Sequence, residues 1–355
     1  MNRLKPALLV LIALTLLLPA APVAAGGEAQ RPLRSHAIDH GVYLGTMIAS
    51  IGNRYRAEEA SDKQFLRRAC VEFNMLTPGN ALKFGVVQPH QGDFNWIPAE
   101  NLMTIASKCG MRVIGHALVW HEQLPPWVYR YDGQPAKVRE ILRKHIIRVV
   151  RHFAGRIAVW DVVNEAVMDD GSLRPTFWLR NLGPGYIEDA FRWAHKANPA
   201  AKLYYNDYGN EAANPKSDAI YGYVARWLAQ RVPIDGVGMQ VHTAIWGATW
   251  RPIAQNMQRF AALGLQTRVS EMDVSLRNPV GPGQRAAQAW VYYNTARACF
   301  SPGTGCKMFT VWGFTDKYWA DPNHAPGRCC GLLFDREYRR KAAYYAVLSA
   351  IDQAS

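Results

Sequence analysis

Two glutamates carry the chemistry this sequence could perform. Glu165 closes the run Val159-Trp-Asp-Val-Val-Asn-Glu165, and Glu271 stands in Thr267-Arg-Val-Ser-Glu-Met-Asp273. Each follows a buried-looking, β-branched stretch. A pair of carboxyl groups held apart can protonate a leaving oxygen with one member and place negative charge beside the reacting carbon with the other, which is what cleavage of an acetal bond requires. A lone glutamate at a strand end is ordinarily solvated or ion-paired. Here Asn164 precedes one of the two, and Gln240-Val-His242 lies upstream of the other. Histidines 116 and 121 raise metal binding as a rival chemistry. They are five apart, however, and the position four after His121 is Pro125, so the two-histidine helix of the zinc proteases is missing. No metal and no cofactor are expected.

Eight short apolar, β-branched runs could position these groups: Tyr43–Ile48, Glu72–Leu76, Arg112–Leu118, Ile157–Val163, Lys202–Tyr205, Gly236–Val241, Thr267–Met272 and Met308–Trp312. Between them lie stretches with helical periodicity, among them Asp62–Cys70, Ala99–Lys108, Val138–His152, Ile187–Ala197, Lys216–Arg231, Pro252–Leu263 and Pro282–Cys299. Strand and helix alternating eight times predict an α/β fold, a single (β/α)8 TIM barrel with no linker dividing it. In such a barrel the site is built at the C-terminal ends of the strands. The polar and aromatic residues fall there: Thr77 to Asn80, His116 to His121, Asn164-Glu165, Asn206-Asp207-Tyr208, Gln240 to His242, Glu271 to Asp273, and Trp312 followed by Thr315-Asp316-Lys317.

Residues 1–25 read as an export leader, with Arg3 and Lys5, an apolar run from Ala7 to Leu18, and small residues ending at Ala25. That run is shorter than the roughly 20 residues a membrane span needs. The barrel is assigned residues 26–355, with secretion and no membrane association after cleavage. Without Arg3 and Lys5 the formal charge of +13 becomes +11. Much of it sits on amphipathic helices, and no RNP, KH or zinc-finger signature accompanies it, so no nucleic-acid partner is expected. Six cysteines in an exported chain suggest disulfides. Sorted by barrel end, Cys299 pairs with Cys306 and Cys70 with Cys109 at the bottom, leaving Cys329 and Cys330 at the top as a vicinal bridge or a free pair.

These motifs resemble glycoside hydrolase family 10, the endo-β-1,4-xylanases, over roughly Gly41 to the C-terminus. The resemblance implies retaining hydrolysis of internal β-1,4 bonds of xylan by a monomer. Glu165 would be the general acid/base and Glu271 the nucleophile, their carboxyl groups about 5–5.5 Å apart. Asn164 would hold the 2-hydroxyl at the cleavage point, and Gln240 and His242 would flank the nucleophile. A Glu271–His242–Asp273 chain would keep Glu271 ionised. His116, Trp120 and Gln123 would line the glycone side, with Asn80 and Lys83. Trp312 and Trp319 would be sugar platforms that favour xylan over cellulose. The family usually reads Thr-x-Glu-Asn-x-x-Lys-Trp after the second strand; this chain reads Thr77-Pro-Gly-Asn-Ala-Leu-Lys-Phe84. Gly79 therefore removes a sugar-binding carboxylate and leaves an open volume, which implies a weakened second glycone subsite with room for a decoration. Alanine also follows Arg340-Lys341 where the family commonly has proline. Two other readings remain open: a related barrel glycosidase acting on decorated xylan, mixed glucan or a plant glycoside, and a non-catalytic carbohydrate-binding barrel.

Overall fold

A computed structural model describes residues 31–49, 62–245, 249–319 and 326–354; the leader read in residues 1–25 lies outside them. Eight strands run parallel: β1 (Tyr43–Ile48), β2 (Met75–Pro78), β3 (Arg112–Val119), β4 (Ile157–Asn164), β5 (Lys202–Asp207), β6 (Gly236–Met239), β7 (Gln266–Arg277) and β8 (Cys306–Val311). Each pairs with the next, and β8 returns to β1 with Tyr43 opposite Met308, so the sheet closes into a (β/α)8 barrel. Closure removes both sheet edges.

Helices cover the barrel because each carries one apolar face. In Pro135–His152, for example, Val138, Ile141, Leu142, Ile146, Val149 and Val150 are buried against the sheet. Inside the barrel floor a separate apolar layer is formed by Met75, Ile114, Val159 and Tyr204, with Tyr43 and Met308 packed on it. The catalytic rim lies at the other end of the strands.

Several boundaries differ from the sequence expectation. The second strand starts at Met75, not Glu72, because the Lys63–Glu72 helix runs two residues further than periodicity suggested. Glu72 ends that helix fully buried, accepting hydrogen bonds from Leu33 N, Arg340 and Tyr344 OH at 2.9, 3.0 and 2.9 Å. The sixth strand stops at Met239. Val241 has φ +62°, and His242–Ala244 forms a short separate strand against β7. β7 is longer than expected and β8 starts earlier, at Cys306, leaving Trp312 just past its end. The Leu33–Asp39 helix before β1 and the Ala342–Asp352 helix after β8 were not read from sequence. Ala342 is the first residue of the latter, a position where proline and alanine serve equally, since that amide has no partner within the helix.

Two disulfides lie at the bottom of the barrel, each with Cα atoms 5.0 Å apart: Cys70–Cys109 links the ends of two helices, and Cys299–Cys306 links a helix end to β8. Cys329 and Cys330 are free thiols, the second of the two expected alternatives. At the same end the first and last helices meet, where His36 Nδ1 lies 2.6 Å from Asp352 Oδ1.

Candidate active site

The two glutamates and the polar residues grouped with them converge on the mouth of the barrel. Glu271, on β7, is buried. Its Oε1 accepts from Asn206 Nδ2 at 2.8 Å and lies 3.9 Å from His116 Nδ1, while Oε2 lies 3.4 Å from His242 Nε2. His242 Nδ1 is in turn 3.3 Å from Asp273 Oδ1, and Trp319 Nε1 donates to Asp273 Oδ2 at 3.1 Å. Burial alone would raise the pKa of Glu271, but His116, the bond from His242 and the Lys83 ammonium outweigh it and hold the carboxyl at about 2. Burial would lower that of His242; Asp273 and Glu271 instead lift it to about 10.

These shifts have opposite signs in stability. Glu271, lowered from 4.5, contributes stability that is complete above pH 4.5 and lost as pH falls toward 2. His242, raised from 6.5, contributes stability that is complete below pH 6.5 and lost as pH rises through about 10. Both contributions are therefore whole between pH 4.5 and 6.5. Replacing His242 by alanine is expected to move the acid limb of kcat/KM upward, toward the ordinary carboxylate range. An acid limb left in place would show that His242 does not set the ionisation of Glu271.

Glu165 stands one residue beyond β4, in the left-handed region with φ +57°. Such a conformation is uncommon for a residue other than glycine and is held by neighbours. Here the Glu165 amide donates to Asn206 O at 2.9 Å and its carbonyl accepts from Arg174 Nε at 2.8 Å. The hydrogen bonds its carboxyl accepts among the described residues come from neutral groups: Trp120 Nε1 at 2.9 Å, Asn164 Nδ2 at 3.1 Å and Gln240 Nε2 at 3.0 Å. Asn164 Oδ1 accepts from Asn206 at 2.9 Å, so two amide side chains connect the two glutamates. Gly238 on β6 makes room for this link, since a Cβ there would sit 2.2 Å from Asn206 Oδ1.

On the side expected to hold the glycone, Lys83 Nζ lies 2.9 Å from His116 Nε2 and 3.8 Å from the centre of the Trp120 ring. Gln123 donates to Asn80 Oδ1 at 3.1 Å. Trp312 meets His116 and His242 edge-on at 5.4 and 6.2 Å.

One expectation for this side is overturned. The volume at Gly79 is not open: a Cβ there would lie 2.7 Å from Met47 Sδ, the end of a buried β1 side chain. Phe84, in the place of the family tryptophan, is buried and stacks on His145 at 3.6 Å, so it belongs to the core and not to a sugar site.

Sequence reasoning missed a buried charge network beneath the site. His116 Nδ1 is 3.0 Å from Asp161 Oδ2, and the other oxygen of Asp161 pairs with Arg268. Both are shielded from solvent inside the barrel. The available signal was one acid and one base inside otherwise apolar strands, on β4 and β7. Asn206, read from sequence only as a polar strand end, touches Glu271 and Asn164 directly.

A family model described as glycosyl hydrolase family 10 matches residues 33–350. The chain belongs to that family. Among family members, it is 38% identical to endo-1,4-beta-xylanase B of Thermotoga neapolitana over 340 residues, covering 95% of this chain and 96% of the relative. The native xylanase 10B of Thermotoga maritima superposes with a TM-score of 0.86 at 38% identity, over 91% of this chain and 98% of that one. Xylanase 10B of Thermotoga petrophila, solved with xylobiose, gives a TM-score of 0.86 at 36% identity, over 92% and 99%.

Proposed function

We propose that the chain is an exported endo-1,4-β-xylanase that cleaves with retention, Glu165 acting as acid/base and Glu271 as nucleophile. The observation that carries this is the unequal setting of the two carboxyls. Glu271 is buried among His116, His242 and Lys83, which favour the ionised form a nucleophile needs. Glu165 accepts from neutral donors and stands at the rim, where it can give a proton to the leaving oxygen and later take one from water. Attack by Glu271 Oε on the anomeric carbon breaks the bond to that leaving oxygen; water then displaces the glutamate. Xylan as substrate is supported by the relatives' names and by the tryptophans at the mouth, whose faces suit sugar rings. The leader and the disulfides support export.

The test is the configuration of the first sugar released from a panel of xylans and glucans. β-Anomeric products from xylan support the proposal. α-Anomeric products, or preference for a glucan, would sink it.

The second glycone subsite gives a sharper expectation. A charged hydrogen bond is worth about 1.5–3 kcal/mol, roughly ten- to a hundredfold in kcat/KM when made in the transition state. Because Met47 fills the space, Gly79→Glu alone should gain little on aryl xylobiosides. Met47→Ala combined with Gly79→Glu should recover most of that factor. A single variant that gains as much as the double would show that Met47 is no obstacle.

A further inference from the structure

Outside the site, the helix Pro135–His152 turns a strongly basic face toward the segment that leads away from the glycone residues. The two form a groove of about 840 Å³. One wall is aromatic: the rings of Phe94 and Trp96 lie 5.1 Å apart and nearly parallel, Trp96 stacks on His152 at 3.9 Å, and the Arg148 guanidinium covers Phe94 at 4.4 Å. Four cations lining it, Arg143, Arg148, Arg151 and Lys196, are exposed. Among the described residues none of the four has a carboxylate within ion-pair distance. The one acid in the groove, Glu140, is already taken by Lys137 at 3.0 Å and by Lys144. The groove is therefore a cationic surface with flat, half-buried rings, and charge of one sign lining a concave surface focuses its field there. In sequence its upper wall starts close to the site: Gln88 follows Lys83 by five positions, and Trp127 follows Gln123 by four.

We infer that this groove binds the acidic side groups of a uronic-acid-substituted xylan, as an accessory site on the outside of the barrel. Exposed cations that accept carboxylates, held on one concave face with no acid free to neutralise them, fit that occupant. A neutral glycan has no use for four uncompensated cations. The inference rests on the xylanase reading above.

The test compares the wild-type enzyme with Arg143→Glu/Arg151→Glu, which leaves the Phe94–Trp96 stack and all site residues untouched, and with Arg143→Gln/Arg151→Gln as a milder variant. The charge-reversal variant is expected to raise KM on polymeric glucuronoxylan by roughly 5- to 10-fold at low salt, with kcat unchanged and the effect screened away at high salt. Kinetics on neutral arabinoxylan and on an aryl xylobioside should not move. Unchanged KM on glucuronoxylan overturns the inference, as does an equal rise on neutral xylan. Gel retardation by glucuronoxylan follows binding without hydrolysis. A wild-type enzyme inactive on all xylans but retarded in a groove-dependent way would refute the xylanase reading and leave the groove intact. Equal retardation by duplex DNA would mark a general polyanion surface and overturn the acidic-xylan assignment.

Discussion

Replacing Glu271 by alanine is expected to remove turnover on xylan and on activated aryl xylosides alike, whereas Glu165→Ala should keep substantial activity on the activated substrates. The asymmetry follows from chemistry. A good leaving group needs little proton assistance, so loss of the acid/base, which typically costs about 10²–10⁴-fold, is masked when such a group departs. Nothing masks loss of the nucleophile, because the covalent intermediate no longer forms. Azide should separate the roles. With Glu165→Ala it attacks the glycosyl-enzyme and gives a glycosyl azide of retained configuration; with Glu271→Ala it can only replace the missing carboxylate and gives the inverted one. Identical azide products from the two variants would show the assignment to be wrong, and strong residual activity in the double variant would be equally damaging.

Asp161→Ala should destabilise the fold by about 3–5 kcal/mol, the range for stranding one member of a buried ion pair. Asp161 is buried with Arg268 on one oxygen and His116 on the other. Burial raises its pKa, but the Arg268 charge and the His116 bond outweigh this and keep it below 3.8. Arg268 is fully shielded, and beyond Asp161 it has the Tyr204 ring, 5.4 Å from its guanidinium carbon. Removing the acid leaves this cation uncompensated inside the barrel. Arg268→Met alone should cost less, since Asp161 retains His116, and the double variant should be less destabilised than the two singles added together. Urea unfolding of the four proteins measures the coupling. A cost under about 1 kcal/mol for Asp161→Ala would mean that water or relaxation reaches the pair.

The barrel was legible because its strands are β-branched runs ending in polar motifs, a pattern that survives without knowledge of tertiary contacts. The glutamates and their companions were legible for the same reason, each standing at a strand end beside a second informative residue. What escaped has physical causes. The Ala342–Asp352 helix reads Ala-Ala-Tyr-Tyr-Ala-Val-Leu-Ser-Ala-Ile, apolar nearly all round, so it shows no stripe to mark it. Gly79 was read as space, because a sequence shows what a position lacks and not which neighbour enters; Met47 comes from another strand. The role of Phe84 could not be read at all, because the partner that fixes it, His145, lies on a helix distant in sequence. Arg268 and Asp161 carry opposite charges on strands 107 residues apart, and only closure of the sheet brings them together.

The meeting of the first and last helices, with His36 beside Asp352 and His40 Nδ1 3.1 Å from Ala354 O, fixes how the molecule can be tethered. That junction lies under the barrel floor, a strand's length from the glutamates. A carrier bead coupled at the junction itself, beside His36 or Asp352, sits on the side turned away from the cleft, and a long polysaccharide can thread the mouth unobstructed. The same adjacency suits circular permutation, in which a short peptide bridges the two helices and new ends open at an exposed turn on the floor, such as the one at Gly155.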